Sequence, residues 1–363
     1  MTVQRVTKEV RGRGPLSLRE RFRAQARHSR VPVKAQIELT TRCSLRCVHC
    51  YIGNHDRPEL PLARVIELVD ELADAGCMVV GLTGGELALR GGWLDVAGRV
   101  RQRGMLLSIL TSGTSFSADD LKELIVLRPA RVSVSLYGST APLHESVTRV
   151  EGSFAGSLAT LRQLAAAGVP CRVSSVLMPQ NIHDFRAIAA LAEGLGAEFV
   201  FDPTVAPRDD GSSDVTDFRI EPQRLKEFYL SGIIASRSRP GQLATASQAP
   251  GRLPPANCDA GFSTVFVDAQ GEVYPCMGFP PSFGGLSGAS FREVWLGSIA
   301  EAHRGAMERP LHGCDRCDIA GYCRSRCARL AAVEDGDLSG PSSWACKITA
   351  ITVEMREQLL GAT

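Results

Sequence analysis

Three cysteines crowd into eight positions of the stretch TTRCSLRCVHCYIG: Cys43, Cys47 and Cys50. Thiolates are soft ligands, and three of them on one loop suit zinc or an iron–sulfur cluster. A structural zinc takes four protein ligands, whereas three leave one coordination position open for chemistry. Seven more cysteines follow a second pattern: Cys258-x12-Gly271-x4-Cys276, then Cys314-x2-Cys317-x5-Cys323-x3-Cys327, then Cys346. Seven thiols cannot pair off as disulfides. One zinc would use four and strand three, while two clusters would use all seven and leave one ligand to be found. Cys77 and Cys171 stand alone at expected strand starts and read as core thiols.

The elements that must position these thiols show in the hydrophobic pattern. Short apolar runs at 35–39, 78–83, 106–110, 131–136, 172–177 and 198–201 read as strands. Amphipathic stretches such as 62–76 and 157–168 lie between them, each ending in a glycine suited to a helix C-cap. Six β–α alternations predict a parallel sheet with crossover helices, either doubly wound or a partly closed barrel. In both, ligands sit at the carboxyl ends of the strands, where the first cysteine loop falls. A basic arm over 1–34, with ten Lys or Arg against Glu9 and Glu20, precedes this α/β region of 35–205. Residues 206–257, rich in Pro, Gly and Ser, read as a connecting segment with one helix-like piece near 221–235. A cysteine-rich domain is expected over 258–363, opening on a strand–turn–strand signal at STVFVDAQGEVYPC.

Composition excludes several classes. At 363 residues, 44% hydrophobic and 22% charged, the chain is an ordinary globular one. A net charge of +2 gives no footprint for nucleic acid. The opening MTVQRVTKEV has no apolar run suited to a signal peptide, and no later stretch reaches about 18 consecutive apolar residues. No membrane span is expected, and the expected compartment is the reducing cytoplasm, where thiols hold metal more often than disulfides.

The first cysteine triplet resembles the signature of the radical SAM superfamily, C-x3-C-x2-C after the first strand of a partial (β/α)6 TIM-like barrel. LTGGE, with Thr83, Gly84, Gly85 and Glu86, resembles that family's GGE motif, which implies a contact with the methionyl amine of S-adenosylmethionine. Ser112 of TSG stands where relatives usually have Asn. Ser133 and Ser135 match ribose-contacting positions, Arg149 the arginine near the methionyl carboxylate, and His49 the ring that packs against adenine. The resemblance implies a [4Fe–4S] cluster held by Cys43, Cys47 and Cys50, its open iron taken by S-adenosylmethionine. It then implies a 5′-deoxyadenosyl radical that abstracts a substrate hydrogen.

The second group is similar to the SPASM extension of these enzymes, a small domain of β-hairpin plus helices. That resemblance implies two auxiliary [4Fe–4S] clusters: an outer one on Cys314, Cys317, Cys323 and Cys346, and an inner one on Cys258, Cys276 and Cys327. No eighth cysteine stands near Arg252, so the inner cluster is expected to have an open iron or an oxygen ligand such as Asp259. Asp202, Arg208 and Asp209 in the loop after the sixth strand, and Tyr137 in SVSLYG, are the candidate substrate-facing residues. Enzymes with a full seven-cysteine extension mostly modify peptides or proteins by crosslinking or oxidation, which implies a peptide or small-protein substrate and a one-electron donor such as flavodoxin or ferredoxin. The 34 residues before the first strand are too few for a recognition domain of about 80 residues, so a separate leader-peptide-binding protein or the basic arm would take that role. The alternative is oxidation or epimerisation of a small molecule, an aminoglycoside or tetrapyrrole precursor. Because the C-terminal domain has little core of its own, its folding is expected to lean on its clusters. Iron and acid-labile sulfide assay of anaerobically prepared protein is expected to give about twelve iron per chain; about four would leave one cluster, and bound zinc would exclude them all.

Overall fold

A computed structural model describes residues 17–228, 258–314, 316–320, 323 and 327–361. The first sixteen residues of the basic arm, and all of the connecting segment beyond Phe228, therefore lie outside the described residues. Six parallel strands run in chain order: β1 (Lys34–Glu38), β2 (Val79–Thr83), β3 (Leu106–Thr111), β4 (Arg131–Ser135), β5 (Cys171–Val176) and β6 (Glu198–Asp202). Each pairs only with its sequence neighbours in this series, with no reversal of order. That topology decides between the two expected architectures. A doubly wound sheet reverses direction at a switch point, whereas a series with no reversal builds the arc of a barrel.

Local sequence explains the helices that cross between strands. In α2 (Leu62–Asp74), Val65, Leu68, Val69 and Leu72 are buried at helical spacing, and Gly76 takes the left-handed turn that follows, at φ +88. Helix α3 (Trp93–Gln102) packs beside it, burying Trp93, Val96, Ala97 and Val100. Helix α4 (Ala118–Leu127) starts on a capping box between Ser117 and Asp120. Helices α5 (Ala141–Thr148), α6 (Ser153–Ala166) and α7 (Phe185–Gly194) complete the crossovers, and α8 (Pro222–Phe228) occupies the described part of the helix expected near 221–235.

The cysteine-rich region does not form a separate layer. Strand β7 (Thr264–Val267) pairs parallel with β1, Ala35 facing Val265 and Ile37 facing Val267. Strands β8 (Glu272–Tyr274) and β9 (Gly284–Gly285) then add antiparallel, so one nine-stranded sheet runs across the boundary expected at 258. The main hydrophobic core continues with it through Val265, Val273, Phe291 and Trp295. Cluster-dependent folding, expected for the whole C-terminal third, therefore narrows to the segments beyond α9 (Phe291–Trp295) and α10 (Ser298–Met307). Those segments end in α11 (Ala328–Glu334) and α12 (Ser343–Gly361).

The N-terminal helix α1 (Leu18–His28), set by a Ser17–Glu20 capping box, straps the two halves together. Arg27 lies 3.8 Å over the Phe262 ring, Arg23 and Arg27 pair with Asp259, and Trp295 donates to the Arg30 carbonyl. A chain ending at Phe228 would leave the backbone edge of β1 unpaired and Ala35 and Ile37 uncovered. Such a truncation is expected to aggregate in light-scattering measurements where the full chain does not; a soluble, cooperatively melting product would contradict the shared sheet.

Candidate active site

The loop between β1 and α2 carries the first triplet, and backbone hydrogen bonds fix it from two sides. Arg46 and Val48 donate to the carbonyls of Thr148 and Val147 at the end of α5. From the other side, Gly85 and Glu86 donate to Thr40 and Arg42. A Cβ on Gly85 would stand 2.4 Å from the Thr41 and Arg42 carbonyl oxygens, and one on Gly84 would stand 2.6 Å from that of Thr40. The glycines after Thr83 thus serve first to press β2's end against the cysteine loop.

Cys43, Cys47 and Cys50 lie close enough for each other's charge to matter. Burial pushes all three thiols up, Cys43 to about 11, and neighbouring thiols add to the rise at Cys43 and Cys47. Thiolates in such a place need a compensating cation, which a metal centre supplies. Among the described residues no three His, Cys, Asp or Glu side chains converge tightly enough to hold a single metal ion. Three thiols on one loop supply one ligand fewer than a structural zinc takes, and so fit a cluster with one open iron better.

The other expected cofactor residues surround this loop. Glu86 is fully buried and accepts from the Thr111 hydroxyl at 2.6 Å, from the Ser112 N–H at 2.9 Å and from the Ser112 hydroxyl. Ser112, in place of the usual Asn, thereby helps hold the carboxylate in position. Among the described residues Glu86 makes no ion pair, and a carboxyl group so held suits an ammonium as a further partner. His49 meets Tyr137 edge-on at 4.8 Å, its Nδ1 buried with no hydrogen-bond partner, and burial lowers its pKa to about 4. Ser135 hydrogen-bonds the Tyr137 phenol, whose pKa burial raises, and Ser133 is buried behind it. Arg149 is exposed in a left-handed conformation, φ +61, one residue past the carbonyl that holds Arg46.

The candidate substrate-facing residues have structural duties. Arg208 donates to the Cys50 carbonyl at 2.8 Å and forks onto Asp214. Asp209 pairs with Arg57 at 2.8 Å and accepts from the Gly53 N–H. Both tie the loop after β6 to the cysteine loop, while exposed Asp202 accepts from Thr204 within its own turn. Between the two loops lies an open cleft of ≈ 470 Å³, lined by Arg46, Cys47, Cys50, His55, Arg208 and Asp210 among others.

Glu38 is a residue the sequence reading missed. It closes β1, almost fully buried, and accepts from the Tyr51 hydroxyl at 2.6 Å and from the Ala269 N–H. Burial, with Asp268 and Asp209 nearby, raises its pKa to about 7. The available signal was a charged residue inside the apolar run AQIEL.

The seven later cysteines fall into two sets. Cys276 senses Cys258 and Cys327, whereas Cys346 senses Cys323, Cys314 and Cys317. Asp259, the expected oxygen ligand, is paired with Arg23 at 2.7 Å and Arg27 at 3.1 Å.

Residues 37–192 match the model of the radical SAM superfamily, and residues 258–318 that of an iron–sulfur cluster-binding domain, SPASM. The chain thus carries a radical SAM domain and a SPASM domain, and is an enzyme that uses S-adenosylmethionine and [4Fe–4S] clusters. It is 26% identical to the subtilosin biosynthesis protein AlbA of Bacillus subtilis over 81% of this chain and 66% of that one. An AdoMet-dependent heme synthase of Methanosarcina barkeri is also 26% identical, over 80% and 90%. The fold matches SuiB of Streptococcus suis bound to its precursor peptide SuiA, with TM-score 0.71 and 13% identity over 94% of this chain and 85% of that one. Among the described residues no helix is long and apolar enough to cross a membrane.

Glu38 yields a pH prediction. Its folded pKa lies above the carboxylate's ordinary 4.5, so the folded chain binds a proton that the unfolded one releases. Stability should fall as pH rises from about 4.5 through 7, by at most roughly 3 kcal/mol. In infrared titration a protonated-carboxyl band should vanish near pH 7 and be missing in Glu38→Gln; an unchanged band would remove the assignment.

Proposed function

We propose that the enzyme oxidatively modifies a peptide or small protein, as a maturase of a ribosomally made precursor. One observation carries this reading: Cys47 and Cys50 of the first loop line an open cleft of ≈ 470 Å³ beside the loop after β6, at the carboxyl ends of the strands. The likeness to AlbA and the fold shared with peptide-bound SuiB support it. When bound on Cys43, Cys47 and Cys50, the cluster with S-adenosylmethionine supplies a 5′-deoxyadenosyl radical that takes a hydrogen atom from the substrate. The protein's own residues position and shield. Glu86 would accept from the methionyl ammonium while Thr111 and Ser112 hold its carboxylate still. His49 and Tyr137 form an apolar wall, and Arg149 offers a cation at the rim. Arg208 and Asp209 keep the substrate-side loop at a fixed distance from the cysteine loop. Cys258, Cys276 and Cys327, and Cys314, Cys317, Cys323 and Cys346, would hold the auxiliary clusters, which would supply an electron acceptor, and a flavodoxin or ferredoxin would supply the reducing electron. A separate leader-binding protein, or the basic arm itself, would hold the precursor's leader.

The relationship to heme synthases favours a second reading, oxidation of a tetrapyrrole precursor. The two are separated by anaerobic incubation of reduced enzyme with S-adenosylmethionine and either a precursor peptide encoded beside this chain or a tetrapyrrole. The peptide is expected to stimulate 5′-deoxyadenosine and to lose hydrogen by mass spectrometry; turnover of the tetrapyrrole alone would reverse the assignment. Replacing Cys43, Cys47 and Cys50 together by Ala should remove about four iron and all 5′-deoxyadenosine, leaving the remaining iron in place.

A further inference from the structure

Among the described residues no fourth cysteine joins Cys258, Cys276 and Cys327, and Asp259 and His303 are the candidates for a further ligand. Asp259 follows Cys258 directly, but its carboxylate is held by Arg23 and Arg27 of α1, and Arg27 also donates to the Cys258 carbonyl at 2.6 Å. Withdrawing Asp259 would break its ion pairs with Arg23 and Arg27, the latter stacked over the Phe262 ring.

His303 on α10 is in the opposite condition. Only 4% exposed, it has both ring nitrogens buried and neither has a hydrogen-bond partner. Such a side chain in an apolar core is costly unless something binds it. Its ring packs against Gly261, Phe279 and Phe283, the first two of which lie three residues along the chain from Cys258 and Cys276. The Cδ2–Nε2 edge faces Gly261, three residues past Cys258, where an added Cβ would come within 3.1 Å of Cδ2 and 3.4 Å of Nε2. Its ring meets that of Phe279 at 5.0 Å, and the Phe279 N–H bonds the Cys276 carbonyl. One turn further along α10, Met307 joins a cluster with Ala260, Phe279 and Ala328, against which Cys258 and Cys276 pack; Ala328 adjoins Cys327. Arg304 beside it is fully engaged by the Gly261 and Trp295 carbonyls and Glu301, and so leaves His303 unpaired.

We propose that His303 is the fourth protein ligand of the inner auxiliary cluster, completing Cys258, Cys276 and Cys327 through a ring nitrogen. The inference rests on the assignment of those three cysteines to that cluster. The imidazole is suited to ligation because both of its ring nitrogens are buried and unpaired, so a lone pair is available. A neutral nitrogen in place of a thiolate removes one negative charge from the cluster and raises its reduction potential relative to an all-cysteine site. With this ligand set the cluster has no iron vacant for substrate, and its part in the reaction is electron transfer.

The test uses the full-length enzyme, purified anaerobically with its clusters and labelled with 15N-histidine. Pulsed electron paramagnetic resonance of the reduced protein should show a histidine nitrogen coupled to one auxiliary cluster, with the frequency change that the isotope dictates. His303→Leu, which fits the apolar surroundings, should abolish that coupling and turn the site into a three-iron cluster on oxidation, with about eleven iron per chain in place of about twelve. Twelve iron with no nitrogen coupling in the wild type, or a coupling that survives in His303→Leu, would overturn the proposal while leaving the cysteine assignment intact. A wild-type content of about eight iron would remove the inner cluster and the proposal together. Should His303→Leu fail to fold, the isotope-dependent coupling in the wild-type protein still decides.

Discussion

Parallel backbone pairing between β1 and β7 is the constraint on which the rest of this molecule depends. Lys34 through Ile37 align with Thr264 through Val267, so the strand that ends at the first cysteine loop is locked to the strand that opens the cysteine-rich region. Register is strongly specified, because Ala35, Ile37, Val265 and Val267 are all buried in one core and a slip would turn them out of it. The β7–β8 turn thus meets the first cysteine loop at the carboxyl end of one sheet, while Cys258 and Cys276 flank β7 and β8 at its opposite end. Electron exchange between metal centres falls steeply with separation, and this pairing fixes where the two cysteine groups stand.

Polar groups at the strand ends consolidate that junction. Glu38, the last residue of β1, accepts from Tyr51 of the cysteine loop and from Ala269 beyond β7. Asp268 turns its carboxylate onto the Gln270 and Glu272 N–H groups and so shapes the β7–β8 turn. Arg57 with Asp209, and Arg208 with the Cys50 carbonyl, then tie in the loop after β6. Buried charges of this kind add little stability relative to apolar packing, but they are demanding about geometry. Here they hold three loops in register around one cleft.

Much of the fold could be read in the sequence because its signals are local. Alternating apolar runs and amphipathic helices mark all six barrel strands within a residue or two, since periodicity reports which face of each element is buried. The cysteine spacings likewise mark both metal-binding regions, because each depends on short loops. The glycines of LTGGE show what such reading cannot supply. Their type signals a close approach, yet the backbone they approach, that of Thr40 to Arg42, is settled by strand order. Arg208 and Asp209 look like free polar residues in sequence and become loop anchors only when the β6 loop meets the cysteine loop.

By itself, the sequence determined the α/β class, the two cysteine groups and the chemistry their ligand types permit, since helix period, strand period and ligand spacing are properties of neighbouring residues. Tertiary structure alone decided that the strands form a barrel arc, that the cysteine-rich hairpin extends the same sheet, and that Asp259 is paired while His303 is left without a partner. These outcomes depend on contacts between residues tens to hundreds of positions apart, such as Arg23 with Asp259 and Gly261 with His303. No local pattern encodes whether a buried polar group will find a partner. Only the packed molecule settles it.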